Sequence, residues 1–233
     1  CEVTCDHEIE EPDVIFHLAA LARIQPSFKN PQEVFEVNTL GTQNVLDYAR
    51  ERNIPVIYAG SSSTHGDHYA NPYTFTKWQG ELLCEMYNKV YNLPTTICRF
   101  YNVYGPHQIL DGAYAAVIGI FENQYNAKKT LTVTGDGEQR RDFTHVDDIV
   151  DGLVKCATNM DVASGKIFEL GRGTNHSILQ ITEMFGEEEV EYIPARPGEM
   201  RVTLCESLEA RELLGWTPKI DIEDYIKSFL KTT

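Results

Sequence analysis

Basic residues are scarce in this chain of 233 residues, where 20 Lys and Arg stand against 35 Asp and Glu for a formal net charge of −15. A surface of that sign repels a phosphate backbone, so no nucleic-acid partner is expected. It leaves room for a small phosphate-bearing ligand, because a few local arginines can hold one against the global charge. Long apolar runs are missing too. None approaches the roughly 18 residues that a membrane span needs, and no membrane partner is expected. Cys1-Glu2-Val3-Thr4-Cys5-Asp6 shows no basic region followed by an apolar stretch, so the sequence reads as lacking a secretory signal. Cys1, Cys5, Cys84, Cys98, Cys156 and Cys205 form no C-x-x-C pair and no regular framework. They read as free thiols in a reducing, cytoplasmic setting. His65 and His68 lack an evident third ligand, so no metal site is expected. Glycine is absent until Gly41.

What is present alternates. Asp13–Ala20 reads as a short buried strand running into a loop, and 31–53 as a helix with apolar Val34, Val37, Leu40, Val45, Leu46 and Ala49. Strands follow at 55–59 and 95–100, with a helix at 72–91 between them. Buried apolar strands alternating with long helices imply a parallel sheet covered on both faces. Ligands in such sheets bind beyond the carboxyl ends of the strands. Ala19-Ala20 and Ser61-Ser62-Ser63 both fall there. Shorter elements come next: helices near 114–125, 146–156, 178–185 and 222–230, and strands at 131–133, 167–170 and 190–193. They suggest a smaller lobe interleaved with the first.

Tyr73 and Lys77 are the most informative pair. Four residues apart on a helix they share a face, where an ammonium can stabilise a phenolate and lower the tyrosine pKa. A hydroxyl from the serine run could complete a proton-transfer set. Taken alone the spacing is weak, since any helix supplies such pairs by chance.

The surrounding motifs raise its weight. Phe16-His17-Leu18-Ala19-Ala20, Asn38-Thr39-Leu40-Gly41-Thr42, Ser61-Ser62-Ser63, the Tyr73/Lys77 pair and Arg99-Phe100-Tyr101-Asn102-Val103-Tyr104-Gly105-Pro106 come in order. Gly135-Asp136-Gly137, Arg140-Arg141-Asp142-Phe143, Ala195-Arg196-Pro197-Gly198-Glu199 and Leu214-Gly215-Trp216 follow. In this order they resemble the extended short-chain dehydrogenase/reductase family, and within it the NAD-dependent nucleotide-sugar epimerases and dehydratases. The resemblance covers nearly the whole chain. It implies a Rossmann-like doubly wound α/β sheet, with residues 1–105 and about 144–171 binding NAD. Residues of about 106–143 and 172–233 would form the smaller substrate lobe.

The roles that the resemblance implies are specific. Ser61, Tyr73 and Lys77 would be catalytic. Leu18, Ala19, Ala20, Asn38 and Tyr101, with Tyr73 and Lys77, would line the cofactor. Ser62, Asn102, Arg141, Arg196 and Glu199 would bind substrate, the two arginines gripping a nucleotide diphosphate. His17 and Trp216 read as structural, Arg140 as a surface charge, and Asp147-Asp148 as a helix N-terminal pair. Sugar dehydratases of this group carry an acidic pair after the catalytic threonine, where this chain has Ser62 and Ser63. That disfavours dehydration, and Asn102-Val103-Tyr104-Gly105-Pro106 followed by residues 112–118 resembles the UDP-hexose and UDP-N-acetylhexosamine 4-epimerases, which implies C4 epimerisation through a transient 4-keto sugar. Other reactions of the family (dehydration, decarboxylation, reduction) and a non-catalytic sugar-nucleotide-binding remnant are the alternatives. A homodimer through a four-helix arrangement is implied as well.

Three departures stand out. The glycine-rich turn and first βαβ unit of the family do not occur in these 233 residues. The favoured expectation is a longer parent protein, ahead of a truncated gene or a chain that works without NAD. The interval from Gly66 to Tyr73 is short, implying an open sugar pocket, and Thr64-His65-Gly66 replaces Val-Tyr-Gly.

Overall fold

The computed structural model describes residues 11–232; the expectations for Cys1, Cys5 and the first six residues lie outside them. Ten strands and ten α-helices follow one another in the order β1 (Ile15–His17), α1 (Ile24–Lys29), α2 (Pro31–Phe35), α3 (Gly41–Arg52), β2 (Val56–Ser61), α4 (Pro72–Tyr91), β3 (Thr95–Phe100), β4 (Val103–Tyr104) and α5 (Val117–Asn126). Then come β5 (Leu131–Thr134), β6 (Arg140–Asp142), β7 (Thr144–His145), α6 (Val146–Thr158), α7 (Met160–Ala163), β8 (Ile167–Leu170), β9 (Asn175–Ser177), α8 (Ile178–Met184), β10 (Val190–Ile193), α9 (Glu209–Leu214) and α10 (Ile222–Thr232).

The main sheet runs β1-β2-β3-β8, every pair parallel. Every residue of β2 is buried, which is why Val56-Ile57-Tyr58-Ala59 carries no polar alternation. Successive side chains go to opposite faces. Val56, Tyr58 and Ile97 pack with Leu46, Ala49, Cys84 and Tyr87 from α3 and α4. Ile57 and Cys98 pack on the other side with Ile149, Leu153 and Trp216. Helices thus cover both faces, as the alternation of elements predicts. A third cluster joins Phe121 of α5, Leu131 and Val133 of β5, Ile181 of α8 and Ile226 of α10. It lies beside small pairings of β5 with β10, β6 with β9, and β4 with β7.

Local chemistry sets the ends of α4. Asn71 caps it by accepting from the Thr74 N–H at 2.8 Å, Pro72 opens the first turn, and Asn92 closes it in the left-handed region.

Several expectations change. The β1 strand is not a buried strand: Phe16 is 39 % exposed, at one end of the described sheet. The expected helix of 31–53 contains a π-helical turn, Glu36–Leu40, between α2 and α3. A π turn rotates the following residues about the axis, so Asn38 is buried while Val37 and Leu40 face outward. Arg140 is no free surface charge, since its Nε donates to Asn175 Oδ1 at 2.7 Å. Asp148 does more than complement the α6 dipole. It is buried and accepts from the Lys219 and Ile220 N–H groups at 2.9 and 3.0 Å. Trp216 donates from Nε1 to the Asp148 carbonyl at 2.8 Å, holding the C-terminal segment down. The short helices α1, α7 and α9 carry too few periods to be read from sequence.

Candidate active site

The carboxyl end of β2 delivers Ser61, and a 3-10 turn, Ser62–His65, follows it. Ser61 Oγ accepts from the Ser63 N–H at 3.2 Å and shares a hydrogen bond with Ser63 Oγ at 2.9 Å. Tyr73 lies in the first turn of α4, and its hydroxyl donates to Ser61 Oγ at 3.2 Å. Lys77, one turn on, is buried; its Nζ donates to the Ala59 carbonyl and stands 4.2 Å from the centre of the Tyr58 ring. Tyr58 fits beneath α4 because residue 80 is glycine: a Cβ there would lie 2.1 Å from the Tyr58 hydroxyl.

The Tyr73 pKa is raised, by burial first and by the Glu81 charge as well, and the Ser61 hydrogen bond and the Arg23 charge offset part of the rise. Lys77 was the cation expected in that role. Its ammonium is turned instead to the Ala59 carbonyl and the Tyr58 ring, and burial pulls its own pKa down to about 8. Arg23 is the basic side chain that acts on the phenol.

Ser61, Tyr73 and Lys77 open on a cavity of about 820 Å³. Leu18, Ala20, Ser62, Asn102, Arg141, Arg196 and Glu199 also line it. Ala19, Asn38 and Tyr101 do not. Asn38 turns inward, donating from Nδ2 to Thr76 Oγ1 at 3.0 Å. Tyr101 is 1 % exposed and donates its hydroxyl to Glu169 at 2.7 Å. Asn102 reaches the cavity, yet its Nδ2 is held by the Asp142 carbonyl and Thr203 Oγ1, both at 3.0 Å. Arg141 and Arg196 share Glu199, at 3.6 and 4.0 Å.

The cavity inverts the charge of the molecule. Its ionisable lining is basic at Arg23, Lys29, Lys77, Arg141 and Arg196, and Glu199 is the sole carboxylate among these residues. In a chain of net charge −15, this is local design for an anionic ligand. A hydrogen-bonded Ser–Tyr pair therefore meets a cavity with a mainly basic charged lining at the carboxyl end of β2.

The sequence model of the NAD dependent epimerase/dehydratase family matches residues 4–171. The chain belongs to this family. It is 32 % identical over 235 residues to the UDP-glucose 4-epimerase of Mycolicibacterium smegmatis, covering 93 % of this chain and 74 % of that one. The UDP-glucose 4-epimerase of Thermotoga maritima, solved with UDP-glucose, superposes with a TM-score of 0.87 at 27 % identity, covering 95 % of this chain and 78 % of that one. The UDP-glucuronic acid 4-epimerase of Bacillus cereus, solved with UDP-glucuronic acid and NAD, superposes with a TM-score of 0.84 at 29 % identity, covering 94 % and 76 %. The family's cofactor is NAD. Leu18, Ala20, Ala59 and Gly60 form a cavity wall with no side chain larger than leucine, which fits the flat nicotinamide end of that cofactor. In this member of the epimerase/dehydratase family no described helix is long and apolar enough to cross a membrane.

Sequence reasoning missed three features. Arg23 gave no signal, because its position in the cavity depends on the loop between β1 and α1. A buried ion network is the second: Glu81 of α4 accepts from Arg99 Nη2 at 2.7 Å, and Arg99 bonds Glu169 at 3.3 Å. Glu169 also pairs with His65 at 2.6 Å. Glu81, four residues after Lys77, was its one legible member. The third is Asp142, fully buried, which accepts from the N–H groups of Arg172, Gly173 and Cys205 at 2.9, 2.9 and 3.0 Å. His68 stacks on Trp78 with ring centres 4.6 Å apart.

Proposed function

We propose that this site epimerises C4 of a UDP-hexose or UDP-N-acetylhexosamine through a transient 4-keto sugar. The observation that carries the reading is the Ser61–Tyr73 hydrogen bond at the rim of a cavity whose charged lining is cationic save for Glu199. Arg141 and Arg196 would grip the diphosphate, for which a guanidinium fork suits paired oxygens. The sugar would then reach toward Tyr73. Leu18, Ala20 and Lys77 would hold the nicotinamide end of NAD, while Ala19, Asn38 and Tyr101 do not line the cavity. NAD, when bound, supplies hydride acceptance from C4 and its return.

The chain's own residues handle the proton. Tyr73, as its phenolate, would take it from the 4-hydroxyl, and Ser61 would donate a hydrogen bond to whichever oxygen carries the charge. Once the 4-keto sugar has turned its other face, Tyr73 returns the proton to O4. Dehydration would need a carboxylic acid placed beside the leaving hydroxyl. Ser62 and Ser63 stand there, and Glu199 is engaged by the two arginines. The division into a cofactor part (1–105 and 144–171) and a substrate part (106–143 and 172–233) belongs to the same proposal. The apolar cluster around α5, α8 and α10 accords with it in large part, while Ala210, Leu214 and Trp216 of the substrate part pack on the main sheet.

The test is product analysis with UDP-glucose and UDP-N-acetylglucosamine. The expected product has unchanged mass and an inverted C4, and Tyr73→Phe lowers kcat by about 10²- to 10⁴-fold. Loss of water or carbon dioxide from the sugar, or a Tyr73→Phe protein at full rate, overturns the reading.

A further inference from the structure

His65 ends the 3-10 turn that follows Ser61. Ser61 holds the start of that turn, its Oγ accepting from the Ser63 N–H at 3.2 Å and its carbonyl from Thr64 Oγ1 at 2.8 Å. At the other end His65 Nε2 donates to Glu169 Oε1 of β8 at 2.6 Å. The turn is thus fixed twice, by β2 and, across β3, by β8. His65 is not among the residues that line the cavity, so any effect on the chemistry passes through the turn.

The anchor continues inward. Glu169 Oε1 also accepts from Arg99 Nη1 at 3.3 Å, and Arg99 Nη2 donates to Glu81 Oε2 at 2.7 Å. Glu81 follows Lys77 by one turn of α4 and Tyr73 by two. His65, Glu169, Arg99 and Glu81 therefore join the turn after Ser61 to the helix that carries Tyr73. They also press on the backbone just before Ser61: a Cβ on Gly60 would lie 2.8 Å from Glu81 Oε1 and 3.0 Å from Arg99 Cγ.

Charge explains why a basic side chain ends this row. Glu81 and Glu169 share the one guanidinium of Arg99. Besides Arg99, His65 is the basic side chain that reaches Glu169 among the described residues. Burial alone would raise the Glu169 pKa, yet the hydrogen bonds from His65 and Tyr101 and the Arg99 charge bring it below its ordinary value. The His65 side chain is 41 % exposed, so the pair contributes little to stability. What it supplies is position.

We propose that His65 is a positioning residue for the proton pair: through Glu169 it holds the turn after Ser61 in register with α4, and so sets the Ser61–Tyr73 hydrogen bond. Under the proposed function, on which this inference rests, Ser61 and Tyr73 must meet the same sugar oxygen. A displacement of about 1 Å there costs about 10²-fold in rate.

The experiment is steady-state kinetics of His65→Ala and His65→Gln on the UDP sugar that the wild type epimerises, with crystal structures of the wild type and His65→Ala. His65→Ala should lower kcat about 10- to 100-fold and leave KM within about twofold, with a thermal midpoint near that of the wild type. The glutamine amide can still donate to Glu169, so His65→Gln should recover most of the lost rate. Imidazole added to His65→Ala should recover part of it, since the position is open to solvent. In the crystal, the Ser61 Oγ to Tyr73 hydroxyl separation of 3.2 Å should open beyond hydrogen-bonding range in His65→Ala.

Full rate in His65→Ala overturns the inference, as does a lowered thermal midpoint with kcat unchanged. A loss of rate that neither glutamine nor imidazole recovers also overturns it, and so does an unmoved Ser61–Tyr73 pair. A wild type that epimerises no UDP sugar removes the proposed function. The Ser61–Tyr73 separation in His65→Ala then decides the inference by itself.

Discussion

Burial leaves the Lys77 ammonium with the Ala59 carbonyl and the face of Tyr58, and its pKa falls from 10.5 to about 8. Between those values the unfolded chain binds a proton that the native chain has shed. Stability therefore rises as pH climbs from about 8 toward the ordinary lysine range. Urea midpoints measured at intervals over that window should show the rise, and Lys77→Met should abolish it. A slope that survives in Lys77→Met would assign it to another group. His17 behaves in the same sense lower down. Burial first, and then the Lys77 charge, pull its pKa from 6.5 to about 4, so its contribution is lost as pH falls through that range. Its ring nitrogen bonds Thr42 Oγ1 at 2.9 Å, in keeping with a structural role. At this scale the sequence named Ser61, Tyr73 and Lys77 through motif spacing. The contact of the Lys77 ammonium with the Ala59 carbonyl and the Tyr58 ring is one that spacing along α4 could not reveal.

The α4 helix carries the site, and its ends were legible. Asn71 and Pro72 start it, Asn92 stops it, and each acts through its own backbone or side chain. Its contact with the sheet was not legible. Gly80 lies where α4 crosses β2, and Tyr58 occupies the space a Cβ would need. Gly80→Ala should cost about 1–3 kcal/mol by overpacking, despite alanine's better helix propensity. Chemical denaturation measures this; a stabilised variant would mean that Tyr58 moves freely. Because Tyr58 also faces Lys77, kcat should fall with it. The π turn at Glu36–Leu40 shows the opposite case. Nothing local in Glu36-Val37-Asn38-Thr39-Leu40 demands it, and it serves to bring Asn38 against Leu21 and Thr76.

At the scale of the whole molecule, the outer side of α3 and α4 stays apolar. Tyr48, Leu82, Met86 and Val90 are exposed, Val90 to 60 %. Leu82, Met86 and Val90 fall at four-residue spacing and so form one stripe. The proposal of a homodimer built on these two helices predicts that this stripe is covered by its mate. Size-exclusion chromatography with light scattering should give twice the chain mass for the wild type and the single mass for Met86→Glu. A monomeric wild type would sink that proposal. The cavity depends on the same long-range order, because its lining comes from the ends of β1 and β2, the 112–116 loop and the 193–203 segment.

The sequence by itself determined the doubly wound parallel sheet, the limits of α4, and the family with its Ser–Tyr–Lys set. The sheet and the helix limits follow from local periodicity and capping chemistry, and the family with its Ser–Tyr–Lys set from the resemblance of ordered motifs, all of which a chain carries without folding. Only the tertiary structure decided that Lys77 faces Ala59, that Asn38 and Tyr101 do not line the cavity, and that Arg23 does. It also decided that Asp142 gathers three amides from distant loops. Burial, desolvation and the meeting of segments far apart in the chain set these outcomes, and none of the three is a property of neighbouring residues.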